Sequence, residues 1–242
     1  MKKLTLSLVV LLSINVYAGG DITPPVIDVI VPDVVPPMVT PDYAVDLKVG
    51  TLGLGLDFSM PINEQFNVRL NLNGGSYDDT SNEAGIDYSY SLDLLTAGIL
   101  VDYYPMSGSE FRVSGGVYYN GNEADLCARP QAGTNLDIGL KAGGYSVADL
   151  GSLKGNVDFD DIAPYVGIGW GNAVKNSGWS FNADVGIMYQ GTPDVTLEAI
   201  GSAPALKAEI DANVAIEEAD LQNDLDDYKI YPVISVGVTY TF

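Results

Sequence analysis

The residues of this sequence that are best suited to do chemistry are charged side chains that alternate with apolar ones along short segments. Six of them lie on the polar side of such segments: Asp46, Lys48, Arg69, Asp93, Arg112 and Asp184. An unpartnered buried ion is costly, so charges in such places must be paired. They are predicted to form an internal network of ion pairs and hydrogen bonds. The alternative is a narrow polar path for small solutes, lined by Lys48, Arg69 and Arg112.

Groups for acid–base or nucleophilic catalysis are scarce in this sequence. The chain contains no histidine, so a Ser-His-Asp relay cannot be built. Its single cysteine, Cys127, has no local basic residue beyond Arg129 to activate the thiol. We therefore predict that the protein is not an enzyme and that it uses no cofactor.

Acidic residues dominate the charge balance. The chain carries 32 acidic and 11 basic residues, for a formal net charge of −21, and such a chain does not bind nucleic acid by neutralising phosphates. Two acidic clusters could ligate a hard cation such as Ca²⁺ through oxygen atoms. They are Asp158-Asp160-Asp161 and Asp224-Asp226-Asp227. Neither has the spacing of a calcium-binding loop, so solvated charge is the preferred interpretation and no metal site is predicted.

The first 43 residues are predicted to be a signal and a spacer. Residues 1–18 have a basic start, an apolar run and Val16-Tyr17-Ala18 at the end, which is typical of a secretory signal peptide cut after Ala18. The alternative, a retained membrane helix, needs about 20 apolar residues, and this run is shorter. Residues 19–43 are rich in proline, which indicates an extended linker. It would be a spacer or a docking strip for a periplasmic partner.

From residue 44 onward, the sequence alternates with a period of two. Phe66, Val68, Leu70 and Leu72 alternate with polar residues, which places the apolar side chains on one face of a strand. No later stretch of 18 apolar residues could form a helical span, so a membrane crossing would require a closed barrel. Eight strands are predicted, at 45–58, 66–73, 86–101, 111–119, 136–145, 162–170, 179–189 and 230–242.

The predicted fold is all-β: a closed antiparallel eight-stranded transmembrane barrel over residues 44–242. Soluble sandwiches also alternate, but aromatic residues near the strand ends favour girdles at two membrane interfaces. These are Tyr103, Tyr104, Tyr118, Tyr119, Trp170, Trp179, Tyr189, Tyr231 and Tyr240. The phase of the alternation slips after Val49 and after Leu94, and a bulge or glycine kink is predicted at each. Residues 195–199 compete with 136–145 for the eighth strand.

One amphipathic acidic helix is predicted before the last strand, at about 204–227. Its apolar stripe at helical spacing consists of Leu206, Ile210, Val214, Leu221, Leu225 and Tyr228. Ser202 is the predicted cap, with Pro204 near the first turn. Acids near the C-terminal end oppose the helix dipole, so packing or a bound cation must stabilise it. If the C-terminus is periplasmic, this helix lies outside the cell.

The end of the sequence resembles that of Gram-negative outer-membrane proteins. Val236, Val238, Tyr240 and Phe242 alternate with small or polar residues, and Tyr240 and Phe242 resemble the signal that the barrel-insertion machinery reads. Residues 157–172, 178–181 and 224–229 resemble a family of small uncharacterised barrels, similar to the OmpA membrane domain and to OmpW. The resemblance implies an eight-stranded barrel in the cell outer membrane, with outer-membrane lipid as its surroundings and no assigned catalytic residue.

Two functions follow from this reasoning. The leading hypothesis is a non-catalytic outer-membrane barrel with a structural or surface-interaction role, which would contact an external partner through its loops and acidic helix. The alternative is a porin-like barrel, a narrow passive pore for small or hydrophobic solutes. The two differ in whether the interior is filled.

Overall fold

The computed structural model describes residues 43–106, 108–172, 174 and 177–242. The predicted signal peptide at 1–18 lies outside these residues, as does the predicted linker at 19–43 apart from Tyr43.

The described residues form thirteen strands and two helices, and eleven of the strands belong to one antiparallel sheet. The first six strands are β1 (Ala44–Gly50), β2 (Gly53–Asn63), β3 (Phe66–Glu83), β4 (Ile86–Tyr103), β5 (Phe111–Asn120) and β6 (Glu123–Pro130). A separate small hairpin follows, made of β7 (Asn135–Leu136) and β8 (Tyr145–Ser146), and then α1 (Val147–Leu150). The remaining elements are β9 (Ser152–Asp158), β10 (Ile162–Trp170), β11 (Gly178–Tyr189), β12 (Asp194–Ile200), α2 (Lys207–Leu225) and β13 (Ile230–Thr241).

The all-β class and the helix before the last strand are confirmed, whereas the strand count of eight is wrong. The predicted strand at 45–58 is instead the β1–β2 hairpin. The predicted strand at 136–145 contributes only the short β7 and β8, while residues 195–199 lie within β12. Two strands, β6 and β9, were not predicted at all.

Eight of the strands pair in a circuit, which we call the ring. Starting from β1, successive neighbours are β2, β3, β4, β5, β10, β11 and β13, and β13 pairs with β1 again. Neither β12 nor the β7–β8 hairpin belongs to this circuit. The start of the first strand, Ala44, therefore lies opposite the end of the last strand, Thr241.

The ring strands carry their apolar side chains outward. In β10, exposed and buried residues alternate without a break from Ile162 to Trp170. The exposed members include Val166 and Ile168, while the buried Arg112 and Asp184 lie on inward-facing positions of neighbouring strands. This is the reverse of a soluble protein, and it is the pattern that a lipid-facing surface requires. Of the aromatic residues predicted for the girdles, Tyr104 and Tyr118 are buried in the ring interior instead.

The two predicted bulges are wrong, and each phase slip has another cause. After Val49 the chain turns: Thr51 and Leu52 connect β1 to β2, and Gly53 adopts φ +90° with no room for a Cβ beside the carbonyl of Gly74. After Leu94 the backbone register is unbroken. The neighbouring strand changes there instead: β4 pairs with β6 up to Asp93 and with β5 from Thr96.

Residues 75–94, 123–158 and 194–225 form a second part of the molecule, which we call the distal module. Here β3 and β4 continue beyond the ring, and β6, β9 and β12 extend the sheet from β4. The apolar residues on one face of these strands pack under α2 in an ordinary core. Its most deeply buried members are Ile138, Tyr145, Leu150 and Ile210.

Helix α2 lies over β12 and shares this core. Its inward residues Ile210 and Val214 are buried, and Leu206, Leu221 and Leu225 pack against the same cluster. The predicted cap is wrong: Leu206 occupies the cap position and no side-chain hydrogen bond closes the helix start. Among the described residues, no helix has the length and hydropathy needed to cross a membrane.

We expect Ile210→Ala to destabilise the distal module by about 2–5 kcal/mol, because it leaves a cavity under α2 where the side chain is fully buried. Urea titration, followed by protease cleavage of the α2 region, measures this change. The matched control is Leu140→Ala, since Leu140 is 81% exposed and its loss should cost less than about 0.5 kcal/mol. Equal protease sensitivity of both variants would contradict the packing described for α2.

Candidate functional site

The ring interior holds a network of ion pairs centred on Arg69. Its guanidinium lies 2.9 Å from Asp102, 3.0 Å from Asp184 and 3.3 Å from Asp57. These carboxylates come from three other strands, β4, β11 and β2. One side chain on β3 therefore connects four strands of the ring.

Two further cations complete the charge balance. Arg112 donates both hydrogen bonds of its Nη2 to Asp184, at 2.7 and 2.8 Å, and Lys48 donates to Asp57 at 2.9 Å. We call Lys48, Asp57, Arg69, Asp102, Arg112 and Asp184 the interior network. None of the six is more than 7% exposed. Each carboxylate faces at least one cation, as buried charges require.

Hydroxyl and amide groups occupy the remaining acceptor positions. Ser114 donates to Asp102 at 2.5 Å and accepts from Arg69 at 3.1 Å. Asn71 donates to Asp57, and Asn73 donates to Thr96 at 2.8 Å. The network is thus embedded in hydrogen bonds, which raises the cost of removing any one member.

Apolar and aromatic side chains fill the interior next to this network. Tyr118 and Tyr165 make an edge-to-face contact with ring centroids 5.5 Å apart. Other members of the same cluster are Leu52, Leu100, Ala163, Met188 and Val233. Beside Lys48 and Ser235, a space of about 10 Å³ is left, which has room for roughly one water molecule.

The structure brings four of the six predicted charges together: Lys48, Arg69, Arg112 and Asp184. Asp46 is also buried in the ring, but it accepts a hydrogen bond from Thr239, at 3.3 Å. Asp93 lies apart from them, exposed on the distal module, where its partner is Ser91.

Sequence reasoning missed Asp57 and Asp102, although a signal was present. Asp57 stands between Leu56 and Phe58, and Asp102 stands between Val101 and Tyr103. Each is therefore a lone acid flanked by outward-facing apolar residues, the same pattern that identified Arg69.

The predicted assembly signal, Tyr240 and Phe242, lies on the outer surface of the ring at the end where β1 begins and β13 ends. Their rings are in edge contact at 5.0 Å, and Phe242 stacks on Tyr43 at 4.9 Å. Tyr240 also contacts Trp179 at 5.0 Å. These four aromatic residues form one continuous exposed patch.

A row of carboxylates crosses the exposed face of the distal sheet. Asp93 lies opposite Glu123, and Asp158 lies opposite Asp194. Glu123 and Asp158 are next to each other, because Ala124 and Val157 form the adjacent pair. Desolvation raises the pKa of Asp158, and the charges of Asp194 and Glu123 raise it further. In the described part of the chain, no group of three or more carboxylates has the geometry to hold a metal ion.

Two solved structures of other proteins are similar to this architecture. CarO2 of Acinetobacter baumannii superposes with a TM-score of 0.56 at 27% identity, covering 83% of this chain and 98% of that one. CarO of Acinetobacter baumannii gives a TM-score of 0.53 at 26% identity, covering 84% and 98%. Both are outer-membrane β-barrel proteins. The fold is that of a Gram-negative outer-membrane barrel.

No protein-family model and no curated protein matches the sequence. The narrower resemblance to the OmpA membrane domain and OmpW stays a prediction. The similar structures are outer-membrane barrel proteins rather than members of enzyme families, and the non-catalytic role stays a prediction.

We expect Arg69→Met to destabilise the folded protein by about 3–5 kcal/mol, because it leaves three buried carboxylates short of a cation. Urea unfolding in detergent micelles, followed by tryptophan fluorescence, measures the difference. Lys154→Met is the control, since the Lys154–Asp125 pair, at 3.5 Å, is largely exposed and should contribute less than about 1 kcal/mol. If the two variants were equally stable, Arg69 would not be the centre of the interior network.

We expect Asp158→Asn to stabilise the distal module at neutral pH by about 0.2–1 kcal/mol, toward the low end because the side chain is exposed. The fold raises the pKa of Asp158, so its charged form destabilises the module, and protonation removes this penalty as the pH falls through the raised pKa. The advantage of the variant should therefore shrink in acid. Protease resistance across a pH series tests this, with Asp220→Asn on α2 as control; an advantage that grew in acid would contradict it.

Proposed function

We propose that the ring is the closed eight-stranded transmembrane barrel of a protein of the cell outer membrane, and that its interior is sealed. The barrel would serve as a non-catalytic anchor that holds the distal module at the cell surface for a structural or surface-interaction role. One observation carries the proposal: the Arg69 network and the Tyr118–Tyr165 cluster together fill the ring interior.

The surface of the ring supports the membrane location. Outward-facing residues such as Leu54, Leu70 and Phe181 are exposed and apolar, and soluble proteins rarely leave a large apolar sheet surface uncovered. Strands such as β10, with nine residues, have the length that a tilted membrane-crossing strand needs, about 9–11 residues.

The connections support one orientation. At the end of the ring where β1 begins and β13 ends, β2 and β3 are joined by two residues, Glu64 and Gln65. At the opposite end, Thr51 and Leu52 join β1 to β2, and the other ring strands are joined through the distal module. Outer-membrane barrels have short periplasmic turns and longer extracellular loops. The proposed orientation therefore puts the distal module, with α2, outside the cell.

The interior argues against the alternative, a passive pore. An eight-stranded barrel encloses a space just wide enough for side chains to fill. Here a solute would have to separate Arg69 from three carboxylates and then pass between Tyr118 and Tyr165. Both layers would have to move, so the filled interior favours an anchor.

Planar-bilayer recordings test this proposal. We expect no conductance steps from the refolded protein, and intermittent steps from the double variant Arg69→Ala/Tyr118→Ala, which thins both layers. The control is Leu70→Ala/Tyr119→Ala, which changes the adjacent outward-facing residues of the same strands and should stay silent. Steady single-channel steps from the unmodified protein would reject the sealed barrel and support the passive pore.

A further inference from the structure

We propose that the free edge of β3 in the distal module, residues 75–83, binds an extended segment of an external partner that carries lysine or arginine, as one additional β-strand. The inference rests on the proposed function, because it requires the distal module to lie outside the cell.

The free edge begins where the ring ends. The ladder between β2 and β3 stops at the pair Leu54–Gly74. Beyond it, β3 continues from Gly75 to Glu83 and pairs only with β4. The unpaired edge is nine residues long, or about 30 Å at 3.4 Å per residue. An edge of this kind is a template for strand addition.

The hydrogen-bond pattern shows which backbone groups face this edge. Leu95 of β4 donates its N–H to Asn122, and its carbonyl accepts from Gly121, so it faces away from β3. Backbone groups of an antiparallel strand alternate in direction, so Leu94 bonds to β3 through its partner Gly75. Residues of even number in this part of β3 therefore face the free edge: Ser76, Asp78, Thr80 and Asn82.

One hydrogen bond agrees with this assignment. The N–H of Thr80 donates to the side chain of the preceding residue, Asp79, at 2.8 Å. An N–H engaged in the ladder with β4 would not be available for that contact. Thr80 therefore faces outward, and a partner carbonyl would replace the local carboxylate.

The other edge of the same sheet, at β12, is covered by side chains of α2. At β12, the outward N–H of Val195 donates to Gln222 at 3.1 Å, and that of Leu197 donates to Glu218 at 2.8 Å. Both acceptors belong to α2, which thus closes this edge with its side chains. The distal module covers one edge with a helix and leaves the β3 edge to solvent.

Charge determines which strand fits. Residues 75–83 include Asp78, Asp79 and Glu83 and no basic residue. Two copies of this edge repel each other, which disfavours pairing between molecules of this protein, whereas a basic segment is attracted. Tyr77, which is 62% exposed, adds an apolar contact on the strand. The favoured occupant is an extended basic segment, and a second copy is disfavoured.

Three labelled peptides test the proposal on the full chain refolded in zwitterionic detergent, with fluorescence anisotropy as readout. The first is an eight-residue peptide of alternating lysine and threonine, the second is the same peptide N-methylated at every residue, and the third alternates glutamate and threonine. We expect the first to bind, the second to bind at least tenfold more weakly, and the third not to bind. Equal binding of the first two would mean attraction by charge alone and would overturn strand addition, as would absence of binding.

Two variants localise the binding to β3. Asp78→Pro/Thr80→Pro removes two outward N–H groups at an edge, where proline is tolerated, and should abolish binding of the lysine–threonine peptide. Asp78→Ala/Thr80→Ala loses the same side chains but keeps both N–H groups, and should retain most of it. Equal loss in both variants would overturn the proposal.

Two further measurements keep these results interpretable. Heat-modifiable gel migration shows whether the barrel of each variant is folded, and the N-methylated peptide tests the unmodified protein even if the proline variant does not fold. Conductance of the same samples is independent of this edge. If the protein shows no conductance and binds no peptide, the proposal of a basic partner is rejected and the proposed function stands. If it conducts and binds the peptide, the sealed barrel is rejected and strand addition at β3 stands.

Discussion

The ion pairs of the Arg69 guanidinium are the interactions on which the rest of the structure depends. It holds carboxylates from β2, β4 and β11, so the strands of the ring are joined across its interior as well as around its wall. A lipid-facing wall gives little hydrophobic drive to fill the inside, because its apolar side chains already point outward. Buried ion pairs are a weak source of net stability, but they make any other arrangement of these strands costly. The network therefore specifies which strands face each other.

Strand β4 belongs to both the ring and the distal module, and its two faces differ between these parts. In the ring part of β4, the inward side chains include Thr96 and Asp102, and the outward ones include Ile99 and Val101. In the distal part the inward face becomes apolar, with Tyr88 in the core, while the outward face carries polar residues such as Ser89. The switch occurs near Leu94 without any change of register. Along β4 the outward face thus changes from polar in the distal module to apolar in the ring.

These two patterns explain what could be predicted from the sequence. Alternation identified the ring strands from β3 to β13 and the inward position of Arg69, because one face of each strand is uniformly apolar. It failed at 45–58, where Leu52 turns inward at the end of the hairpin while Leu54 faces outward, so a turn has the same pattern as a bulge. It failed again at β6 and β9, because buried and exposed residues do not alternate regularly along these two strands. The pairing of Arg69 with Asp184, 115 positions away, depends on the sheet order, which local pattern does not contain.

The acidic helix packs on the distal core and its carboxylates have protein partners, which is the first of the two options that its charge distribution suggested. Its carboxylates act as acceptors for its neighbours: Glu217 accepts the N–H of Gly139 at 2.9 Å, and Glu218 accepts that of Leu197 at 2.8 Å. Near the helix start, Glu209 accepts from Lys141 at 2.5 Å, and this contact lowers the pKa of Glu209. Charged acceptors form stronger hydrogen bonds to backbone N–H groups than neutral ones do. Glu217 and Glu218 therefore stabilise the packing of α2, because they satisfy donors that β12 and the loop after β7 would otherwise leave unpaired.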